Sequence, residues 1–105
     1  MTRKPRHPTF SSQDDLLDAP LAATLDLHGF TGAEASAAVR RLLETWRQRQ
    51  PGAVVHIITG KGKGSAGGPV LRGLVRRLLK GELREWVAEW ARDDAEGGYK
   101  VRVRG

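Results

Sequence analysis

A strand, a glycine-rich loop and the start of a helix follow one another in residues 54–69, VVHIITGKGKGSAGGP. The first five residues are mostly β-branched, as in a buried strand. The glycines that follow lack the Cβ atoms that would keep a backbone from folding tightly around a ligand. Lys61 and Lys63 add positive charge between them. Backbone N–H groups, a helix N-terminus and two ammonium groups together predict an anion site, and phosphate is the obvious anion.

This loop partly matches two nucleotide-binding motifs. Gly62, Gly64 and Gly67 fit the G-x-G-x-x-G pattern between a strand and a helix. A dinucleotide fold also needs an acidic residue at the end of the next strand and a longer chain for its paired halves, so we interpret this match as accidental. A Walker A loop needs Ser or Thr directly after Gly-Lys, which neither Gly-Lys pair here has. A mononucleotide pocket is therefore disfavoured, and a flexible hinge with solvated lysines is the remaining alternative to an anion site.

Composition limits the classes of protein to which the chain can belong. Its 105 residues are enough for one domain. The excess of 18 Lys+Arg over 12 Asp+Glu, a formal charge of +6, favours a polyanionic partner, nucleic acid before membrane. The absence of cysteine excludes disulfides, thiolate metal sites and cysteine nucleophiles. With no apolar run of membrane-spanning length and no signal peptide, we expect a cytoplasmic protein that does not bind a membrane. We also expect a monomer.

Hydrophobic periodicity divides the chain into a tail and a domain. Residues 1–21 are predicted to be a flexible charged tail, and residues 22–105 to form the domain. Within the domain the pattern predicts the order β-α-β-α-β-β, at residues 22–28, 32–50, 54–58, 69–80, 83–91 and 99–104. Residues 83–91 fit helical spacing as well as a strand, and we interpret them as a strand. The predicted fold is an α+β two-layer sandwich, in which two helices pack on a four-stranded mixed sheet.

Asp26 and His28 are candidates for acid–base chemistry. They lie two apart on the first predicted strand, so their side chains leave the same face with Cβ atoms roughly 7 Å apart. A right-handed crossover makes the first two strands parallel, which brings both residues beside the loop 60–65. An imidazole there can move a proton near neutral pH. Next to an anion loop, this pair predicts chemistry on a phosphate.

The chain resembles the Smr (small MutS-related) domain family over about residues 22–105. The resemblance rests on LDLHG at 25–29, on ITGKG at 58–62 with Ser65 and a following helix, and on the Gly97-Gly98 turn before a basic last strand. It implies a sandwich like the C-terminal domain of translation initiation factor 3, and nucleic-acid binding with endonuclease activity in many members. Some members nick DNA, including branched forms, and others cut RNA, some of them on stalled ribosomes.

The resemblance and the residue chemistry together predict the site. The predicted catalytic residues are Asp26, His28 and Lys61. The residues predicted to bind nucleic acid are Gly29, Thr59, Gly60, Gly62, Lys63, Gly64, Ser65, Arg72, Lys100, Arg102 and Arg104. We expect no dedicated metal site and no required cofactor, although Asp26 could share Mg²⁺ with a bound phosphate. The alternative function is a module that binds DNA or RNA without cutting it.

Three further groups are interpreted as structural. His56, within the apolar strand, is expected to be a hydrogen-bonded core residue. Asp93, Asp94 and Glu96 are expected to lie in a solvated loop. The three tryptophans are expected in core or half-buried positions.

Overall fold

The computed structural model describes residues 16–60 and 68–105. The strands are β1 (Ala23–Asp26), β2 (Val54–Ile58), β3 (Val87–Asp93) and β4 (Gly98–Val103), and the α-helices are α1 (Gly32–Arg49) and α2 (Gly68–Lys80). The predicted order of elements is confirmed. A 3-10 helix at Arg84–Trp86 occupies the start of the segment predicted as the third strand, which therefore begins later and continues to Asp93.

The sheet is mixed, with the strand order β1-β2-β4-β3. The pair β1 and β2 is parallel, and the other two pairs are antiparallel. Ile58, the last residue of β2, lies opposite Asp26 of β1 on one side and opposite Gly98 of β4 on the other. The ends of β1 and β2 and the start of β4 therefore meet at one edge of the sheet, which we call the site edge.

Both helices pack on one face of the sheet, which confirms the two-layer arrangement. Helix α1 begins at a capping box, in which the Thr31 hydroxyl accepts from Glu34 N and the Glu34 carboxylate accepts from Thr31 N. It then buries one stripe of residues at helical spacing. The core between the layers includes Ala35, Val39, Leu43, Val55, Ile57, Leu71, Val75, Leu79, Tyr99 and Val101. No helix within 16–60 or 68–105 is long and apolar enough to cross a membrane.

The other face of the sheet is covered in part by residues 16–19. Leu16 is fully buried and forms a second small core with Val54 of β2 and Ala91 of β3. Lys100 Nζ donates a 2.7 Å hydrogen bond to the Leu17 carbonyl. These leucines belong to the segment that the sequence analysis assigned to the tail, whereas residues 1–15 lie outside the described part of the chain. The packed structure thus extends in the N-terminal direction to Leu16.

Candidate nucleic-acid interface

Asp26 and His28 lie at the site edge, in a turn that leaves the sheet. Strand β1 ends at Asp26, so His28 is not the second residue of a strand face as predicted. The turn is closed by a 2.9 Å bond from Phe30 N to Leu27 O and passes through Gly29 at φ 86°. The Asp26 carboxylate accepts a 2.9 Å hydrogen bond from the His28 backbone N–H. Asp26 therefore fixes the backbone from which the exposed His28 side chain projects.

Thr59 and Gly60, which begin the glycine-rich loop, are held by one carbonyl oxygen. Gly97 O accepts from Thr59 N at 2.9 Å, from Gly60 N at 3.0 Å and from the Thr59 hydroxyl at 3.0 Å. Thr59 is only 1% exposed, so its hydroxyl is committed to this contact. Gly60 adopts φ 122°, a conformation that side chains rarely allow. Any part that Thr59 plays in binding a ligand would therefore be to position the loop.

The turn between β3 and β4 supports this anchor from below. Gly97 N donates to Asp93 O at 2.9 Å, and Glu96 N donates to the Asp93 carboxylate at 3.3 Å. Asp93 closes β3 and is 9% exposed, so its predicted place in a solvated loop is wrong. Its carboxylate faces the sheet and leaves Asp94 and Glu96 as the exposed acids. The hydrogen bonds within residues 93–97 thus fix Gly97, whose carbonyl holds the start of the glycine-rich loop.

A small buried group of charged side chains lies beneath the same turn. His56 Nε2 is 3.4 Å from Asp93 Oδ2, and Lys100 Nζ is 3.7 Å from the same oxygen. His56 is 4% exposed, and its Nε2 has no hydrogen-bond partner among the described residues, contrary to the prediction of a hydrogen-bonded histidine. Burial lowers the pKa of His56 and Lys100 adds to this, while Asp93 and Glu96 act against it. His56 is therefore a core residue that favours the neutral imidazole.

The basic residues of β4 are used within the chain. Lys100 is held by the Leu17 carbonyl, as described above. Arg102 Nε donates to Glu89 at 2.7 Å, and Arg104 Nη2 donates to Val87 O at 3.1 Å. Arg102 pairs with Val54 at the start of β2, so it is remote from the site edge. The structure does not bring these residues together with Asp26 and His28. Their partners are Leu17, on the sheet face opposite the helices, and Glu89 and Val87 of β3, and sequence alone does not reveal these contacts.

Arg72 lies in a basic cleft that sequence analysis identified only in part. Arg72, Gly73 and Arg76 of α2 line it with Tyr99 of β4 and Arg92 of β3, around a volume of about 200 Å³. The Tyr99 hydroxyl donates to Arg72 O at 3.1 Å. Burial raises the pKa of Tyr99, against the influence of the three arginines. The helical spacing of Arg72 and Arg76 in the sequence predicted that they share one side of α2. Nothing in the sequence indicated that Arg92 lies near them.

Lys61, Gly62, Lys63, Gly64 and Ser65 lie outside the described residues. Within the described ranges no group of three or more His, Asp or Glu side chains is arranged to hold a metal ion. The tryptophans are half-buried, as predicted: Trp46, Trp86 and Trp90 pack against the main core.

The fold and its site edge define a class of protein: a small α+β domain in which an Asp–His turn lies beside Thr59 and Gly60, the start of a glycine-rich loop, and which carries a basic cleft. A family model, the Smr domain, matches residues 25–101. The chain therefore belongs to the Smr domain family, and this membership indicates an interaction with nucleic acid. Comparisons with curated proteins and with solved structures find no match. The resemblance to the C-terminal domain of translation initiation factor 3 accordingly stays a prediction.

Proposed function

We propose that this chain is an endonuclease that cuts a phosphodiester bond of DNA or RNA at the site edge. The observation that carries the proposal is the position of the exposed Asp26–His28 turn. Asp26 lies directly opposite Ile58, and Thr59 and Gly60 follow Ile58 into the glycine-rich loop. An imidazole and the start of the glycine-rich loop therefore share one edge, whereas binding alone would need only the loop and the positive charge.

In this proposal each residue has a separate task. His28 is the general acid or base, because its side chain is exposed to a substrate and an imidazole can both donate and accept a proton. Asp26 holds the turn through its 2.9 Å bond to His28 N and so orients the imidazole. Lys61 is assigned from the sequence to stabilise the charge that develops on the phosphate oxygens in the transition state.

The nature of the nucleophile depends on the substrate. With RNA, the 2′-OH adjacent to the scissile phosphate attacks phosphorus, its proton passes to a base, and the 5′-oxygen of the next nucleotide leaves with a proton from an acid. This route needs no metal ion. With DNA, a water molecule must attack phosphorus, its proton passes to a base, and one ester oxygen leaves with a proton from an acid. Asp26 would be the residue to hold a Mg²⁺ ion, which would supply Lewis acidity for this attack. Cleavage with and without a chelator therefore separates the two routes.

The test is single-turnover cleavage of labelled RNA, single-stranded DNA and branched DNA. We expect His28→Ala to slow cleavage by about 10²–10⁴-fold, the usual contribution of a general acid or base. Two variants separate the roles of Asp26. Asp26→Asn keeps an oxygen that accepts from His28 N, whereas Asp26→Ala removes it, so the Ala variant should be the slower of the two.

The outcomes are distinct. Equal rates for wild type and His28→Ala would remove His28 from the mechanism. Binding without cleavage of any substrate, with or without divalent metal, would establish instead a non-catalytic module that holds nucleic acid. Equal rates for Asp26→Asn and Asp26→Ala, both far below wild type, would show that the charge of Asp26 matters more than its hydrogen bond.

A further inference from the structure

The basic cleft beside α2 is a second place where the structure collects positive charge. Arg72 and Arg76 are one helical turn apart, and Arg92 faces them from β3, next to its register partner Tyr99. All three guanidinium groups are near enough to act on the pKa of the Tyr99 hydroxyl. Three like charges around one cleft repel one another in the folded domain, so their collection needs a reason other than stability.

Carboxylates of the described residues leave most of this charge unpaired. Within 16–60 and 68–105, no Asp or Glu oxygen lies within 4.0 Å of the Arg72 or Arg76 side chain. Arg92 pairs with Asp94 at 2.8 Å, but the two side chains are 56% and 78% exposed. An ion pair so open to water is weak and exchanges readily for a better anion.

The residues that line the cleft leave its interior free of side chains. Tyr99 is 2% exposed and is fixed from two sides, by its hydrogen bond to Arg72 O and by the Trp90 ring at 5.5 Å. Gly73 lies inside α2, where glycine is an unfavourable choice. Packing does not require it, because a Cβ at this position would meet only the flexible Arg77 guanidinium, at 3.6 Å. Gly73 is one of the residues that line the cleft, so its missing side chain leaves that part of the wall open.

The cleft also lies close to the site edge along the chain. Arg72 is in the first part of α2, which follows the glycine-rich loop, and Tyr99 directly follows Gly98, the residue opposite Ile58. We propose that Arg72, Arg76 and Arg92 hold a backbone phosphate of the same nucleic-acid strand whose scissile phosphate lies at Asp26 and His28. The planar, forked guanidinium group suits phosphate oxygens, which it binds in pairs. This inference rests on the proposed function and adds a subsite that keeps the strand in register with the reacting bond.

Two adjacent arginines of α2 give a matched test. Arg76→Gln removes a charge from the cleft, and Arg77→Gln removes the same charge one residue away, from an exposed side chain outside it. Affinities for a labelled duplex and a labelled single strand are measured from 50 to 200 mM salt. Each lost phosphate contact flattens the slope of log affinity against log salt by about 0.9 on duplex DNA and about 0.7 on single strands. The affinity ratio between wild type and Arg76→Gln should thus shrink by about threefold over this range.

A double variant and a second probe complete the experiment. Arg76→Gln/Arg92→Gln should flatten the slope further than Arg76→Gln alone, with thermal unfolding measured to show that the fold is kept. Inorganic phosphate, at an ionic strength matched with chloride, tests whether the cleft serves a free anion. Little displacement of the strand by millimolar phosphate supports a backbone subsite, whereas strong displacement at micromolar phosphate overturns the proposal.

The result also distinguishes this inference from the function on which it rests. Wild-type protein that binds nucleic acid and needs His28 for cleavage, while Arg76→Gln and Arg77→Gln have equal slopes, refutes the cleft alone. Wild-type protein that binds no nucleic acid refutes both. A flatter slope for Arg76→Gln together with an unchanged slope for Arg77→Gln supports the subsite.

Discussion

Gly98 is a glycine at which the structure leaves no room for a side chain, and its replacement tests how the site edge is held. A Cβ atom at this position would lie 2.0 Å from Ile57 O and 2.9 Å from both Ile57 C and Ile58 Cα. These are backbone atoms of β2, so no side-chain rotation can relieve the contact. Gly98→Ala should therefore push β4 away from β2 at the point where Gly97 anchors the loop.

The cost can be worked from the geometry. Real Cβ atoms hardly ever approach closer than 3.0 Å, so the 2.0 Å contact requires a shift of at least 1 Å between the two strands. Overpacking of this kind costs about 1–3 kcal/mol, and the loss of one ladder hydrogen bond adds about 1 kcal/mol. We expect Gly98→Ala to lower the free energy of unfolding by about 3 kcal/mol. For a domain of this size that corresponds to a melting temperature lower by about 12–24 °C.

Thermal and urea unfolding measure this effect, with Gly73→Ala as the control. The control adds the same methyl group inside α2, where it meets only Arg77 Nη1 at 3.6 Å, and should stabilise the helix by up to about 1 kcal/mol. Cleavage by folded Gly98→Ala should also slow, because the Gly97 carbonyl no longer holds Thr59 and Gly60 in place. A Gly98→Ala protein as stable as wild type would refute the close approach of β2 and β4 at the site edge.

Two further predictions concern the face of the sheet opposite the helices. Because burial lowers the pKa of His56, its stabilising contribution is complete above pH 6.5. This contribution falls by up to about 1.4 kcal/mol per pH unit as the pH drops from 6.5 towards the pKa of His56 in the folded protein. Urea unfolding of wild type and His56→Gln between pH 7.5 and 5 measures the loss. If the stability of both proteins changed equally with pH, the prediction would be wrong. Leu16→Ala should lower the free energy of unfolding by about 2–3 kcal/mol, the lower part of the range for a buried leucine, since its cluster is small. Leu21→Ala, at a side chain 41% exposed, is the control, and equal effects of the two substitutions on the urea midpoint would show that Leu16 is not packed on the sheet.

Local patterns in the sequence predict the layered fold because each element buries one regular stripe. Helix α1 follows from its capping box and its apolar spacing, and β4 follows from its strict alternation. Residues 83–91 are ambiguous because Trp86 and Trp90 fit both the spacing of an α-helix and the alternation of a strand. The 3-10 helix at the start of this segment follows neither of these two patterns. Leu16 was missed for another reason. A pair of leucines in a polar segment gives no periodic signal, and only the sheet face beneath it explains why it is buried.

The candidate site divides in the same way. Motif spacing and parallel strand pairing were enough to predict that Asp26 lies at the edge where the glycine-rich loop begins. The support for that edge was not predictable, because it consists of contacts between residues far apart in the chain, such as the hydrogen bonds from Thr59 to the carbonyl of Gly97. Asp93 looked like a loop acid in the sequence, yet its position at the end of β3 makes it part of this support.

The total of 18 Lys+Arg overstates the number of cationic side chains that are free to meet a nucleic acid. Several cationic side chains already have partners within the chain, namely Arg40 with Glu82, Arg102 with Glu89, Lys100 with the Leu17 carbonyl, and Arg47 and Arg49 with the rings of Trp86 and Trp46. Arg72 and Arg76 have no carboxylate partner in the described part of the chain and lie on the helix side of the site edge. Counterion release counts phosphates actually neutralised, so the salt dependence of binding should follow the cleft and the glycine-rich loop and not the total of basic residues. A nucleic-acid strand that ran from the cleft to the Asp26–His28 turn would cross the end of β2, where the glycine-rich loop begins. A nucleic-acid strand held by β4 would first have to displace Leu17 or Glu89.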